Sequence, residues 1–277
     1  MMNKMGHDMA GMKDRWTLAS LGQALARCRE RNDQEISCTL HVLDEYSQTA
    51  EAAEAVAAAY RETISAVSAG GLRASVSVKL SSLGALFDGD LALEETTRLC
   101  REAKRSGVGF EIDMEGRGLV GTAMEAASAC AGSGLPVILA LQAYLDRTPG
   151  DFRLLLAYGI VPRFVKGAYH GDVEDFPEVR GRLLSLVREA AGYGVVFHLG
   201  THDPLVIRGV RSLMEDRRDL LTFGFLMGLS DQTKLELAGQ GWQVSEYVPF
   251  GRDPGPYVAR RERYLRELGE RNLTPAP

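Results

Sequence analysis

The constraint that narrows this chain most is an alternation that continues along nearly its whole length. Strand-like segments occupy 36–43, 75–81, 110–114, 137–143, 163–168, 195–199, 221–226 and 244–249. Between them, apolar residues at helical spacing mark 51–67, 91–104, 121–131, 151–156, 179–191, 205–214 and a short 233–238. A leading helix is expected over 16–30, where Leu18, Leu21, Leu25 and Cys28 form one stripe, and a last helix over 257–268. Strands that alternate with helices require right-handed crossovers and a parallel sheet. Eight such units in roughly 250 residues fit a closed barrel better than an open sheet with a second domain. The expected fold is α/β, a single (β/α)8 barrel over 15–268, with a flexible tail at 1–14 and a C-terminal tail at 269–277.

Composition excludes several classes of partner. A net charge of -5 argues against nucleic acid, whose binders carry a basic face. Cys28, Cys38, Cys100 and Cys130 are scattered without a Cys-x-x-Cys pair, which suits reduced, buried thiols in a cytosolic protein. No run approaches the roughly 18 apolar residues of a membrane span. The first fourteen residues hold five methionines and His7 but no signal-peptide core, and they read as a loose tail.

In a β/α barrel the site forms where the strands end at their C-terminal side. Polar residues gather there: Glu45 after the first strand, Lys79 late in the second, Asp113 and Glu115 at the third, and Gln142 and Tyr144 at the fourth. Lys166 and Tyr169 follow the fifth, Thr201, His202 and Asp203 the sixth, and Tyr247 sits in the eighth. Alternation along 161–169 sends Arg163 and Lys166 to opposite faces. Either an anionic partner or the barrel mouth receives them, or the strand is an edge with two solvated charges. Lys79 and Asp113 also admit a purely structural reading, as an ion pair inside the barrel. His198 and His202 are four apart, a spacing that shares a face on a helix but not at a strand end, so no metal site is expected. Gly116, Gly118 and Gly121 spell a dinucleotide fingerprint. The next strand lacks its terminal acid, and Asp113 and Glu115 would repel a pyrophosphate, so a glycine-rich turn is the preferred reading. Arg260 and Arg261 lie on the last helix. If that helix folds over the mouth, two guanidinium forks make a clamp for a small carboxylate.

Seven motifs, in order, resemble the flavin-dependent proline dehydrogenase family: Val76-Ser-Val-Lys-Leu80, Ile112-Asp-Met-Glu115, Leu141-Gln-Ala-Tyr-Leu145, Arg163-Phe-Val-Lys-Gly-Ala-Tyr169, Thr201-His-Asp203, Tyr247-Val-Pro-Phe-Gly251 and Tyr257-Val-Ala-Arg-Arg261. The resemblance implies a distorted (β/α)8 barrel that holds FAD, has its final helix over the C-terminal mouth, and oxidises L-proline to a cyclic imine by hydride transfer. On that reading Arg260 and Arg261 grip the substrate carboxylate, and Glu45 pairs with the first of them. Lys79 and Asp113 complete the polar side, while Tyr169, Tyr247 and Tyr257 wall the ring. Arg163 and Gln142 approach the flavin ring, and Lys166, Gly167, Ala168, Thr201, His202 and Asp203 hold the rest of FAD. The implied partners are a proline-like imino acid and a quinone, and the implied location is the cytoplasm with peripheral contact at the inner face of the membrane.

Three departures bear on the substrate. Tyr264 stands where the family usually has a glutamate, Gly224 where it often has a polar residue, and the loop 252–256 is short of bulk. One alternative therefore stays open, a dehydrogenase of another proline-like imino acid or a pyrroline carboxylate in a biosynthetic pathway; a second, from a different class, is a barrel that only binds a carboxylate.

Overall fold

The computed structural model describes residues 15–271 and 273–277; the tail expected at 1–14 lies outside the described residues. Of the described elements, α1 (Leu21–Asp33) is followed by β1 (Ser37–Leu43), α2 (Ala50–Ala69), β2 (Ala74–Val78), α3 (Gly89–Arg105), β3 (Gly109–Ile112), α4 (Val120–Gly132) and β4 (Ile138–Gln142). Then come α5 (Thr148–Tyr158), β5 (Val161–Val165), α6 (Phe176–Tyr193), β6 (Phe197–Gly200), α7 (Pro204–Leu213), β7 (Leu221–Leu226), α8 (Asp231–Gly239), β8 (Gln243–Gly251) and α9 (Gly255–Glu270). The eight strands pair in chain order, and β8 closes on β1 as a parallel neighbour, from Ser37 opposite Ser245 to Leu43 opposite Gly251.

Alternation decides what each face of the barrel does. Leu40, Val76, Ile112, Leu139, Phe164, Leu199 and Phe223 point outward against the helices and are fully buried. Burying each such side chain stabilises by roughly 1.5–3 kcal/mol. A slip of one residue would exchange them for the inward set, which includes Thr39, Ser77, Glu111 and Arg163, so the register is strongly fixed. The inside of this barrel is polar, and the apolar core lies between strands and helices.

The element edges differ from expectation for local reasons. The leading helix begins at Leu21 because Leu18 pairs with β8, donating its N–H to Pro249 O and accepting from Gly251 N, and Ser20 then caps the helix. β2 stops at Val78, and Lys79 leads into a 3-10 turn over Leu80–Leu83. β5 stops at Val165, before Gly167 takes a φ of 124°, a conformation suited to glycine. After β3, Gly116 leads into a 3-10 turn over Arg117–Leu119 that feeds α4. All four cysteines are buried and free.

On the outer face of β8, Glu246 anchors α1 and α8. It accepts from Arg27 Nε at 2.8 Å, Arg31 Nη2 at 2.7 Å and Lys234 Nζ at 2.5 Å. Burial alone would raise its pKa, but Lys234, Arg31 and Arg27 overcome that and hold it at about 2. Because the folded value lies below the usual 4.5, this stability is fully present above pH 4.5 and is lost as pH falls towards 2, an effect of roughly 3 kcal/mol. The thermal midpoint is therefore expected to drop through that window. A Glu246→Gln variant, less stable at pH 7, should show a shallower drop; an equally steep one would reassign the acid sensitivity.

Candidate active site

A cavity of ≈ 560 Å³ opens at the C-terminal ends of the strands. Its floor is an ion network inside the barrel. Asp113 accepts from Lys79 Nζ at 2.7 Å, from Ser77 Oγ at 2.8 Å, and from Tyr247 and Arg163. Arg163 also donates to Glu111, which accepts from Thr39 Oγ1 at 2.9 Å. Burial would raise Asp113, yet Lys79 and Arg163 hold it far below the carboxylate range. Lys79 is subject to the converse: burial would lower it, and Asp113 and Glu45 raise it. His41 lies beneath, its Nε2 3.3 Å from Lys79 Nζ and its Nδ1 near Tyr60 Oη and Ser77 O. Burial and then Lys79 depress its pKa, so it is neutral at pH 7.

The roof is α9, whose residues Tyr257, Arg260, Arg261 and Tyr264 all line the cavity. Arg260 donates to Glu45, which does not itself line the cavity but sits behind it, 3.7 Å from Lys79. Arg261 donates to Tyr257 Oη at 2.8 Å and lies over that ring. The Tyr247 and Tyr257 rings are nearly parallel, 9° apart with centroids at 6.5 Å. Lys166, Gly167, Ala168 and Tyr169 form the wall after β5, with Lys166 3.4 Å from Glu267 and Arg263 donating to Ala168 O. Thr201, His202 and Asp203 form the wall after β6; His202 Nε2 accepts from Leu226 N at 3.1 Å, and Asp203 caps α7. Gln142 and Gly224 also belong to the lining.

Arg163 and Lys166, expected on opposite faces, line the same cavity, because β5 ends between them and the chain turns. His198 and His202, not expected to share a face, also line that cavity, as residues four apart along a strand direction do. Among the described residues no cluster of His, Cys, Asp or Glu is arranged to hold a metal. The loop 252–256 is not part of the lining. Sequence reasoning passed over Glu111, Thr39 and His41, although each stands two residues from another inward polar position, which is the strand period.

The cations at the floor of this site and at Arg260 are each paired with a carboxylate. Lys79, Arg163 and Arg260 face Asp113, Glu111 and Glu45, and Lys166 faces Glu267. Arg261, 8% exposed, has no carboxylate within 4.0 Å among the described residues, and its Nε has no hydrogen-bond partner there. Tyr169 Oη and Glu45 Oε2 are likewise buried and unmatched.

A family model described as proline dehydrogenase matches residues 24–175. The chain belongs to the proline dehydrogenase family. Proline dehydrogenase 2 of Bacillus subtilis (strain 168) is 30% identical over 240 residues, covering 84% of this chain and 79% of that protein. A proline dehydrogenase of Deinococcus radiodurans is 32% identical over 213 residues, covering 72% and 68%. The crystal structure of proline utilization A from Bdellovibrio bacteriovorus, inactivated by N-propargylglycine, superposes with a TM-score of 0.85 at 17% identity. That match covers 93% of this chain and 33% of the longer protein, and it supports the barrel fold. As a member of the proline dehydrogenase family the chain is an oxidoreductase, and the cavity at the barrel mouth is its candidate active site.

Proposed function

We propose that this chain oxidises L-proline to Δ1-pyrroline-5-carboxylate, using FAD as the hydride acceptor and a quinone as the onward electron acceptor. The observation that carries the reading is Arg261: a buried guanidinium without a carboxylate partner among the described residues, beside Lys79, Arg163 and Arg260, which are each paired with one. Burying a lone charge is costly, and a substrate carboxylate would supply the missing anion. Arg260, positioned by Glu45, would form the second fork. The parallel Tyr247 and Tyr257 rings, with Tyr169, would hold a small saturated ring by its faces, and the Tyr247 hydroxyl is fixed by Asp113.

The donor set also fits FAD. Gly200 and Gly224 are register neighbours on β6 and β7 and leave bare backbone on the cavity wall, where a planar ring can approach closely. Gln142 and Arg163 would meet that ring, and Lys166, Gly167, Ala168, Thr201, His202 and Asp203 would hold the remainder. When bound, FAD supplies the electron sink for the hydride that leaves the carbon beside the ring nitrogen. The protein contributes placement and charge, and needs no nucleophile of its own. A quinone acceptor brings the protein to the inner face of the membrane as a peripheral visitor; among the described residues no helix is long and apolar enough to cross it.

Purified protein is expected to be yellow and to bleach when L-proline is added anaerobically. Tyr264, lining the cavity beside Lys166 and His202, favours a second reading in which a different ring is the substrate. A flavin-loaded protein that stays yellow with L-proline but bleaches with hydroxyproline, pipecolate or a pyrroline carboxylate would select it. Tight proline binding to flavin-free protein, measured by calorimetry, would instead select a carboxylate binder.

A further inference from the structure

Two glycines in the loop after β5 have no room for a side chain, and one ring is the reason. A Cβ on Gly167 would lie 1.9 Å from Cε1 of Tyr144, and one on Gly171 would lie 2.4 Å from Cγ of the same ring. The loop is wound around Tyr144. Its main chain is also tied to that residue, since Asp172 N and Val173 N donate to Tyr144 O at 3.1 and 3.2 Å. The Tyr144 hydroxyl accepts from Tyr169 N at 2.9 Å and donates to Gln142 Oε1 at 2.7 Å.

Those two bonds determine more than the loop. Glu115 O can only accept, so the Gln142 atom facing it is the amide nitrogen, and the atom that meets the phenol is the amide oxygen, to which the phenol gives its one proton. The phenol and Glu115 O, 3.0 Å from the amide nitrogen, together hold the amide in one orientation, with its second N–H left to meet a ligand. One hydroxyl thus orients the Gln142 amide and holds the backbone at Tyr169, on two walls of the same cavity.

We propose that Tyr144 is a positioning residue for the cofactor, orienting Gln142 towards it and holding the loop that carries Lys166, Gly167 and Ala168. This rests on the FAD reading above. Tyr144 acts through these groups and is itself 5% exposed. Its burial pushes the phenol pKa up to about 12, so the hydroxyl keeps its proton to donate over the working range of pH.

The test is Tyr144→Phe, which keeps the ring between the glycines and removes only the hydroxyl. FAD release from the holoenzyme on dilution, followed by flavin fluorescence, should show retention weakened about tenfold. The visible flavin spectrum should shift as Gln142 loses its orientation. In a Gln142→Leu background the same substitution should weaken retention by less than half as much, because part of its effect passes through that amide. Gly171→Ala, which displaces the ring without removing any hydrogen-bonding group, should also weaken retention. If Tyr144→Phe lowers only the melting temperature, leaving retention and spectrum as in the wild type, the proposal is overturned. Fully additive effects with Gln142→Leu overturn it too. A wild-type protein that never retains FAD defeats the cofactor reading itself, a different result from retention that ignores Tyr144.

Discussion

Replacing Arg261 with methionine is expected to raise the apparent constant for L-proline on the order of a hundredfold, since hydrogen bonds to a charged group contribute roughly 1.5–3 kcal/mol. Stability should move the other way or not at all. The guanidinium is buried beside Tyr257 with no carboxylate partner among the described residues, so an apolar side chain of similar length relieves a desolvation cost. Arg260→Met should behave differently. It strips Glu45 of its nearest cation and leaves that buried anion to Lys79 at 3.7 Å, so binding and folding both weaken. Burial opposes ionisation of Glu45, and Lys79, His41 and Arg260 together hold its pKa well below the carboxylate range. Titration of flavin bleaching against proline, alongside urea unfolding of both variants, separates the two cases. An Arg261→Met protein with an unchanged substrate constant would falsify the clamp, and one that loses several kcal/mol of stability would mean Arg261 serves the fold.

The barrel was legible because parallel strands buried on their outer face carry a strong apolar signal at fixed intervals, as at Leu40, Val76, Ile112 and Phe164. Strand ends were harder to place. Alternation continues through Lys166 on paper, but the backbone leaves the sheet at Val165, so two cations expected on opposite faces meet in one cavity. The leading helix was extended over Leu18 because its apolar spacing fits a helix, whereas its backbone groups are taken by β8. Most of the site residues stood out as polar groups at strand ends, and that emphasis hid their partners one step deeper. Glu111 stands two before Asp113, and Thr39 two before His41, with no special composition to mark them. Tyr144 was visible as a polar residue after β4. Its hold on the loop joins positions 25 apart in sequence, and only the folded chain shows it.

The heaviest loss is expected from Asp113→Asn. Asp113 accepts from Lys79, Arg163, Ser77 and Tyr247, so its charge is what makes two buried cations tolerable. The amide keeps the shape but turns one acceptor into a donor that faces other donors. Breaking a buried ion pair by removing one partner costs about 3–5 kcal/mol, and the urea midpoint should fall accordingly. Because Asp113 is held far below its usual pKa when folded, its contribution is intact above pH 3.8 and fades only as pH falls further. The deficit of the variant should therefore be constant from pH 5 to 8. Flavin reduction should also slow, because Tyr247 loses the acceptor that fixes its hydroxyl and Lys79 is left to His41 and Glu45. Removing both partners is the sharper test. Asp113→Asn combined with Lys79→Met leaves Arg163 to Glu111 and no orphaned ammonium, so the double variant should recover part of the lost stability while remaining inactive. A double variant less stable than Asp113→Asn alone would show that Lys79 supports the fold without Asp113, and the ion network would need another explanation.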